Sequence, residues 1–126
     1  MRGIFEENNM IQSKDLRIGN KLRVNDTIVT VVEIKVYTIK ILYGDKYSIV
    51  DYEKMTPIEL DEGRLTSMGF EPIGTTSNTE YYVQEMAGVD VEIDLDIKRL
   101  LIGGVQLQFN GYLHELQNAL YLLKGE

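Results

Sequence analysis

The cleanest alternation in the chain is VDVEIDLDI, residues 89–97. Val89, Val91, Ile93, Leu95 and Ile97 fall on one side; Asp90, Glu92, Asp94 and Asp96 fall on the other. A period of two is that of a half-buried strand with its apolar side inward. EYYVQEMA (80–87) predicts a strand before it. RLLIGGVQLQF (99–109) predicts a hairpin turning at Gly103-Gly104, with Val105, Leu107 and Phe109 inward. The period then lengthens to that of a helix over about 111–124. There Phe109, Tyr112, Leu113, Leu116, Ala119, Leu120 and Leu123 share one face.

Upstream, residues 15–60 are dense in Val, Ile, Thr and Tyr, which suit a pleated surface. Turn signals at Gly19-Asn20, Asn25-Asp26 and Gly44-Asp45 divide them into strands near 20–24, 27–36, 37–43 and 47–51, with a short one near 54–59. Pro57 then belongs to an edge or a strand start. Leu60, Leu65 and Met68 predict one or two helical turns over 61–68, stopped by Gly69 at the C′ position. GTTSNT (74–79) reads as a small, flexible, exposed loop. The expected fold class is α+β: a small SH3-like β-barrel or curled sheet, then a short helix, an antiparallel sheet and a C-terminal amphipathic helix. The expected organisation is a flexible arm (1–13), a barrel-like β module (14–60) and an α-β-β-β-β-α module (61–126), packed as one compact unit.

Charge narrows the partners. The net charge of −7 argues against duplex DNA. It is also unevenly placed. Residues 14–54 hold eight Lys/Arg against six Asp/Glu, whereas residues 55–97 hold one Arg against ten Asp/Glu. That asymmetry suits head-to-tail association, and a homo-oligomer is expected. With no cysteine, disulfides and thiolate metal sites are excluded and a reducing cytoplasm fits. No apolar run approaches 18 residues, and MRGIFEENNMIQ carries no secretory h-region, so neither a membrane span nor a leader is expected.

Catalytic signatures are missing. Asp90-x-Glu92-x-Asp94 imitates the start of a calcium loop, but Leu95 holds the sixth position and Leu101 the twelfth. Along a strand such carboxylates stand roughly 7 Å apart, too far for neighbours to grip one ion. Neither a dinucleotide glycine motif, nor a P-loop, nor G-x-S-x-G occurs. The single histidine, His114, has no cysteine with which to build a zinc site. The expectation is a non-enzymatic protein with no metal and no cofactor. Eight tyrosines, three phenylalanines and no tryptophan suit either interfaces or half-buried strands.

The closing helix offers the candidate site. Beside its leucine face, Gln117, Tyr121, His114 and Asn118 fall in order across the next 100° or so, as i, i+3, i+4 and i+7 neighbours. Their donors, acceptors and one stacking ring make a platform for a partner helix or a planar ligand. Arg17 or Arg99 would supply charge for a phosphate. Since the leucines already serve the core, these polar residues are expected to be dispensable for folding. Leu122 lies on the far side, exposed or at an interface.

KDLRIGN (Lys14–Asn20) and HELQNALYLLKGE (His114–Glu126), with PIELDEGRLTSMGFE between them, resemble a family of small uncharacterised proteins. These are encoded in phages and mobile elements of Bacteroidetes-type bacteria. Ala119-Leu120-Tyr121 stands where that family has Leu-Tyr-Phe or similar. The resemblance implies a phage accessory protein acting in the cytoplasm of a bacterial host. Such a protein is expected to bind, either by sequestering a nucleotide-derived immune signal or by blocking a host protein through its acidic face.

Overall fold

The computed structural model describes residues 11–75 and 78–124. They are built around two open, antiparallel, five-stranded sheets. In the first, β1 (Lys21–Val24), β2 (Thr27–Ile34), β3 (Thr38–Tyr43) and β4 (Lys46–Asp51) form a meander, and β5 (Met55–Thr56) returns to pair with β1. The turns are local. Asn25 and Asp26, both at positive φ, join Val24 to its partner Thr27, and Gly44-Asp45 joins Tyr43 to Lys46. Such residues tolerate the left-handed conformation that a two-residue hairpin demands. The expected barrel does not close. The strand order is β4-β3-β2-β1-β5, so β4 and the two-residue β5 stand at opposite edges. Leu22, Val29, Val31, Ile39 and Ile41 turn inward and pack with Ile11, Leu16 and Met55. Residues 1–10 of the expected arm lie outside the described residues. Ile11, assigned to that arm, is buried in this cluster instead.

The second half begins with α1 (Glu62–Ser67). Asp61 caps it, its carboxylate accepting from the Arg64 amide at 2.8 Å. Its end is a Schellman turn: the Gly69 amide donates to the Thr66 carbonyl and the Phe70 amide to the Leu65 carbonyl. Gly69 has φ +96°, which favours glycine, and a Cβ there would fall 2.7 Å from the Gln84 amide nitrogen, so that side chain would have to move. Then come β6 (Glu71–Thr75), β7 (Asn78–Met86), β8 (Val89–Asp94), β9 (Arg99–Ile102) and β10 (Val105–Leu107), each paired with the next. The closing helix, α2, spans Leu113–Lys124.

Three expectations are corrected. Residues 71–75 form a fifth strand, which Pro72 and Gly74 disguised. β6 is an edge strand, where a missing amide costs no ladder bond. The expected loop at 74–79 is consequently a hairpin, with Gly74 paired to Thr79 and Thr75 to Asn78. Its tip, 76–77, lies outside the described residues. Second, β8 stops at Asp94, whose carboxylate accepts from the amides of Asp96 and Ile97 and draws the chain into a turn. Ile97 is therefore 60% exposed rather than inward. Third, Val105 and Leu107 are exposed because β10 is an edge strand; of that trio only Phe109 is buried.

The second core packs Tyr82, Met86, Val91, Ile93 and Leu100 of the sheet against Leu116 and Leu120 of α2, with Leu65 and Phe70 from the α1 region. No helix among the described residues is long and apolar enough to cross a membrane. Ile93 is fully buried at the centre of this core. Replacing it with aspartate places a charge where no partner is available, at a cost beyond the roughly 1.5–3 kcal/mol lost by exposing the side chain. Ile93→Asp is expected to abolish the cooperative urea transition of the second sheet, read by tyrosine fluorescence and near-UV circular dichroism. A cooperative, folded variant would mean that the faces of β8 are wrongly assigned.

Candidate functional site

The two sheets, each with its own core, meet at one seam, where the turn before β1 meets the polar flank of α2. At its centre lies Asn20, a polar residue only 3% exposed. Every polar group of Asn20 is engaged. Its side-chain oxygen accepts from the Arg17 amide at 2.8 Å. Its backbone carbonyl accepts from Val31 at 2.9 Å, and its backbone amide donates to the Arg17 carbonyl. Its side-chain NH₂ donates to Asn118 Oδ1 at 2.8 Å, with a longer reach of 3.5 Å to Gln117 Oε1. Gln117 Oε1 accepts from the Lys21 amide at 3.0 Å, and Asn118 Nδ2 donates to the Asp15 carbonyl at 2.9 Å. The seam is thus a clasp of three amide side chains that satisfies the buried Asn20 and ties it to half-buried Gln117 and Asn118.

A second attachment lies at the start of α2. The Leu60 amide donates to the Gly111 carbonyl and the Leu113 amide to the Ile58 carbonyl, making a short antiparallel bridge around Glu59 and Tyr112. Glu115, in the first turn, reaches back to accept from the amides of Tyr112 and Asn110 at 3.0 and 2.9 Å. This is half of a capping box, and it fixes where the helix begins.

The six sequence-predicted site residues separate into three groups. Arg17, Gln117, Asn118 and Tyr121 come together, lining a cleft of about 310 Å³ with Ile18, Gly19, Asn20 and Leu120. The Arg17 guanidinium carbon lies 3.5 Å over the centroid of the Tyr121 ring, a cation–π contact. His114 does not line this cleft. It is 5% exposed, stacked against Tyr112 at 6.0 Å, and its Nδ1 has no hydrogen-bond partner among the described residues. Arg99 is not brought to the site. It is on β9, opposite Asp94 in the second sheet.

The expectation that this flank is dispensable for folding is corrected, because Gln117 and Asn118 carry the clasp and His114 is enclosed. Asn20 is the residue that sequence reasoning missed. In a Gly-Asn pair it reads as a turn former, and its only signal was its place at the end of LRIGN. Elsewhere, Arg23 and Arg64 border a second cleft of about 630 Å³ with Pro57, Glu59 and Tyr112. Neither arginine drew notice in the sequence; Arg64 is already paired with Asp61 at 2.9 Å. Among the described residues no group of three or more His, Asp or Glu is placed to hold a metal ion. A comparison with known proteins finds no matching family model, no matching curated protein and no matching solved structure.

Burial pushes the His114 pKa below its usual value, with the Glu115 and Asp15 carboxylates opposing the shift in part. The unfolded chain, with a histidine pKa of about 6.5, therefore takes up this proton before the folded chain does. His114's contribution is full above about pH 6.5 and is lost as pH falls towards the lowered folded-state value. His114→Gln is expected to flatten this part of the stability profile, measured as urea midpoints between about pH 7.5 and pH 5.5. At the clasp, Asn118→Ala strands the Asn20 side-chain NH₂ and is expected to cost about 1–3 kcal/mol by urea denaturation. A change within about 0.5 kcal/mol, as at an ordinary surface position, would mean that the clasp contributes nothing.

Proposed function

We propose that this chain is a non-enzymatic phage accessory protein that binds a small, planar, anionic ligand of the nucleotide class at the seam cleft. It would act in the cytoplasm of a bacterial host by sequestering a nucleotide-derived immune signal. The observation that carries this reading is the Arg17–Tyr121 pair at the cleft mouth. A guanidinium already held over a ring can offer its outer face to a stacking base and its edge to a phosphate. The floor beside it mixes amide groups with Ile18 and Leu120, the usual lining of a small-molecule site, and about 310 Å³ is at the small end of such sites. The phage setting rests on the resemblance carried by KDLRIGN and HELQN, the two stretches that meet at this seam. No cluster of titratable groups lines the cleft, so binding without turnover is the simplest chemistry for it.

A second reading, a protein that blocks a host protein through its acidic side, is favoured by one observation. Glu85, Asp90 and Glu92 stand next to one another on the second sheet, away from its core.

The two readings part in a thermal-shift screen of nucleotides and signalling dinucleotides. A ligand at about 100 times its Kd adds about 2.7 kcal/mol, a rise of several degrees in Tm. Arg17→Ala removes the guanidinium but keeps the backbone amide that Asn20 needs. It should lower stability by about 1 kcal/mol or less while abolishing the ligand-induced rise. The ligand should be recovered chemically intact. A screen in which no nucleotide raises Tm, or a rise that survives Arg17→Ala, would remove this site.

A further inference from the structure

Among the described residues, each sheet buries one face against its own core and leaves the other without a partner, and these two faces carry opposite net charge. On the first sheet, the residues opposite the inward row of Leu22, Val29, Ile39 and Ile41 share the outer face. Arg23 is paired across from Ile28, Lys21 from Thr30, Lys40 from Ile49, and Leu42 from Tyr47. Tyr47 and Ile49 are 59% and 62% exposed, and the Lys40 ammonium stands 4.9 Å over the Tyr47 ring. This face is therefore apolar along β4 at Tyr47 and Ile49 and carries three cations against two acids, Glu33 opposite Lys40 and Asp51 opposite Thr38.

The outer face of the second sheet is its counterpart. Glu85 is paired with Asp90, Val83 with both Glu71 and Glu92, and Asp94 with Arg99. Half-buried Tyr81, Val83 and Leu101 lie between the acids, and Arg99 is the one cation in those pairs. Two like faces would repel each other, which disfavours a two-fold dimer through either sheet. Unlike faces combine apolar contact with charge pairing, and two sheet faces pack well at about 10 Å separation.

We propose that the basic outer face of the first sheet docks on the acidic outer face of the second sheet of another copy of this chain. The contact is head-to-tail, so each copy keeps one free face and assembly continues into a ring or an open chain. Charge complementarity selects a second copy over single-stranded nucleic acid. A strand of phosphates would match the cations and Tyr47, but would leave the acidic face without a role. The proposal uses neither the cleft at Arg17 nor any ligand.

Sedimentation velocity on the full chain tests it. Wild type is expected to associate at tens of micromolar in about 50 mM salt. Its apparent dissociation constant should weaken about tenfold or more in about 500 mM salt. Two charge-reversed variants decide the geometry: Lys21→Glu with Lys40→Glu, and Glu85→Lys with Glu92→Lys. All four side chains are at least partly exposed, so folding is expected to persist, checked by circular dichroism. Each variant alone should be a monomer, because the first no longer has a basic face and the second no longer has an acidic one. Mixed, they should form a 1:1 heterodimer that extends no further, since each supplies one native face. Wild type that remains a monomer at low salt overturns the proposal, as do variants that assemble like wild type. Monomeric wild type that binds a fluorescent oligothymidylate, with binding lost in the first variant, would instead assign the basic face to single-stranded nucleic acid.

Discussion

The Asn20–Asn118 hydrogen bond, with the Lys21–Gln117 bond beside it, holds the two halves of this protein together. Each sheet has its own apolar cluster, and neither cluster contains residues from both sheets. What joins them at this seam is polar and directional. An apolar seam of the same area would tolerate sliding. Amide groups that each have one acceptable partner do not, because a shift of an ångström strands a buried donor. The clasp therefore fixes the position of α2 against the turn before β1 and, with it, the cleft that both of them border. The bridge between Ile58–Leu60 and Gly111–Leu113 adds a second fixed point, so α2 is held at its start as well as along its flank.

Locally determined features were legible in the sequence. Two-residue turns at Asn25-Asp26, Gly44-Asp45 and Gly103-Gly104 need only their own backbone preferences, and they set the register of three strand pairs. Asp61 and Gly69 likewise bracket α1 with chemistry contained within Asp61–Phe70. Where a side chain acts on its own backbone against the pattern, reading failed. Alternation continues through Leu95 and Ile97, yet the Asp94 carboxylate ends the strand by binding the amides that would have extended it. Edges failed for a different reason. Nothing in Val105 or Leu107 says that no helix lies above them.

The candidate site was half legible. Helical geometry put Gln117, Asn118 and Tyr121 on one flank, and the resemblance drew attention to the LRIGN turn, so four of the proposed residues do border one cleft. Angular position on a helix does not say what covers a flank, however. His114 and Asn118 lie furthest round the helix from the leucine face, yet His114 is buried and Asn118 is bonded to Asn20 and to the Asp15 carbonyl. The partners of this clasp are 96 to 103 residues apart in sequence, beyond the reach of any period or turn rule. Because the cleft and the clasp share Asn20, Gln117 and Asn118, any change made to tune binding there also loads the joint between the sheets.

That long span also sets an order of events during synthesis. The first sheet can pair its strands as soon as residues 21–56 have left the ribosome, since its turns are short and its contacts local. Its Asn20 and the Lys21 amide must nevertheless wait for Gln117 and Asn118, so until α2 is made that edge faces water unsealed. The nascent chain thus carries an early, self-assembled half whose closure waits for α2, and a ribosome stalled before residue 113 would display a sheet with its latch still open.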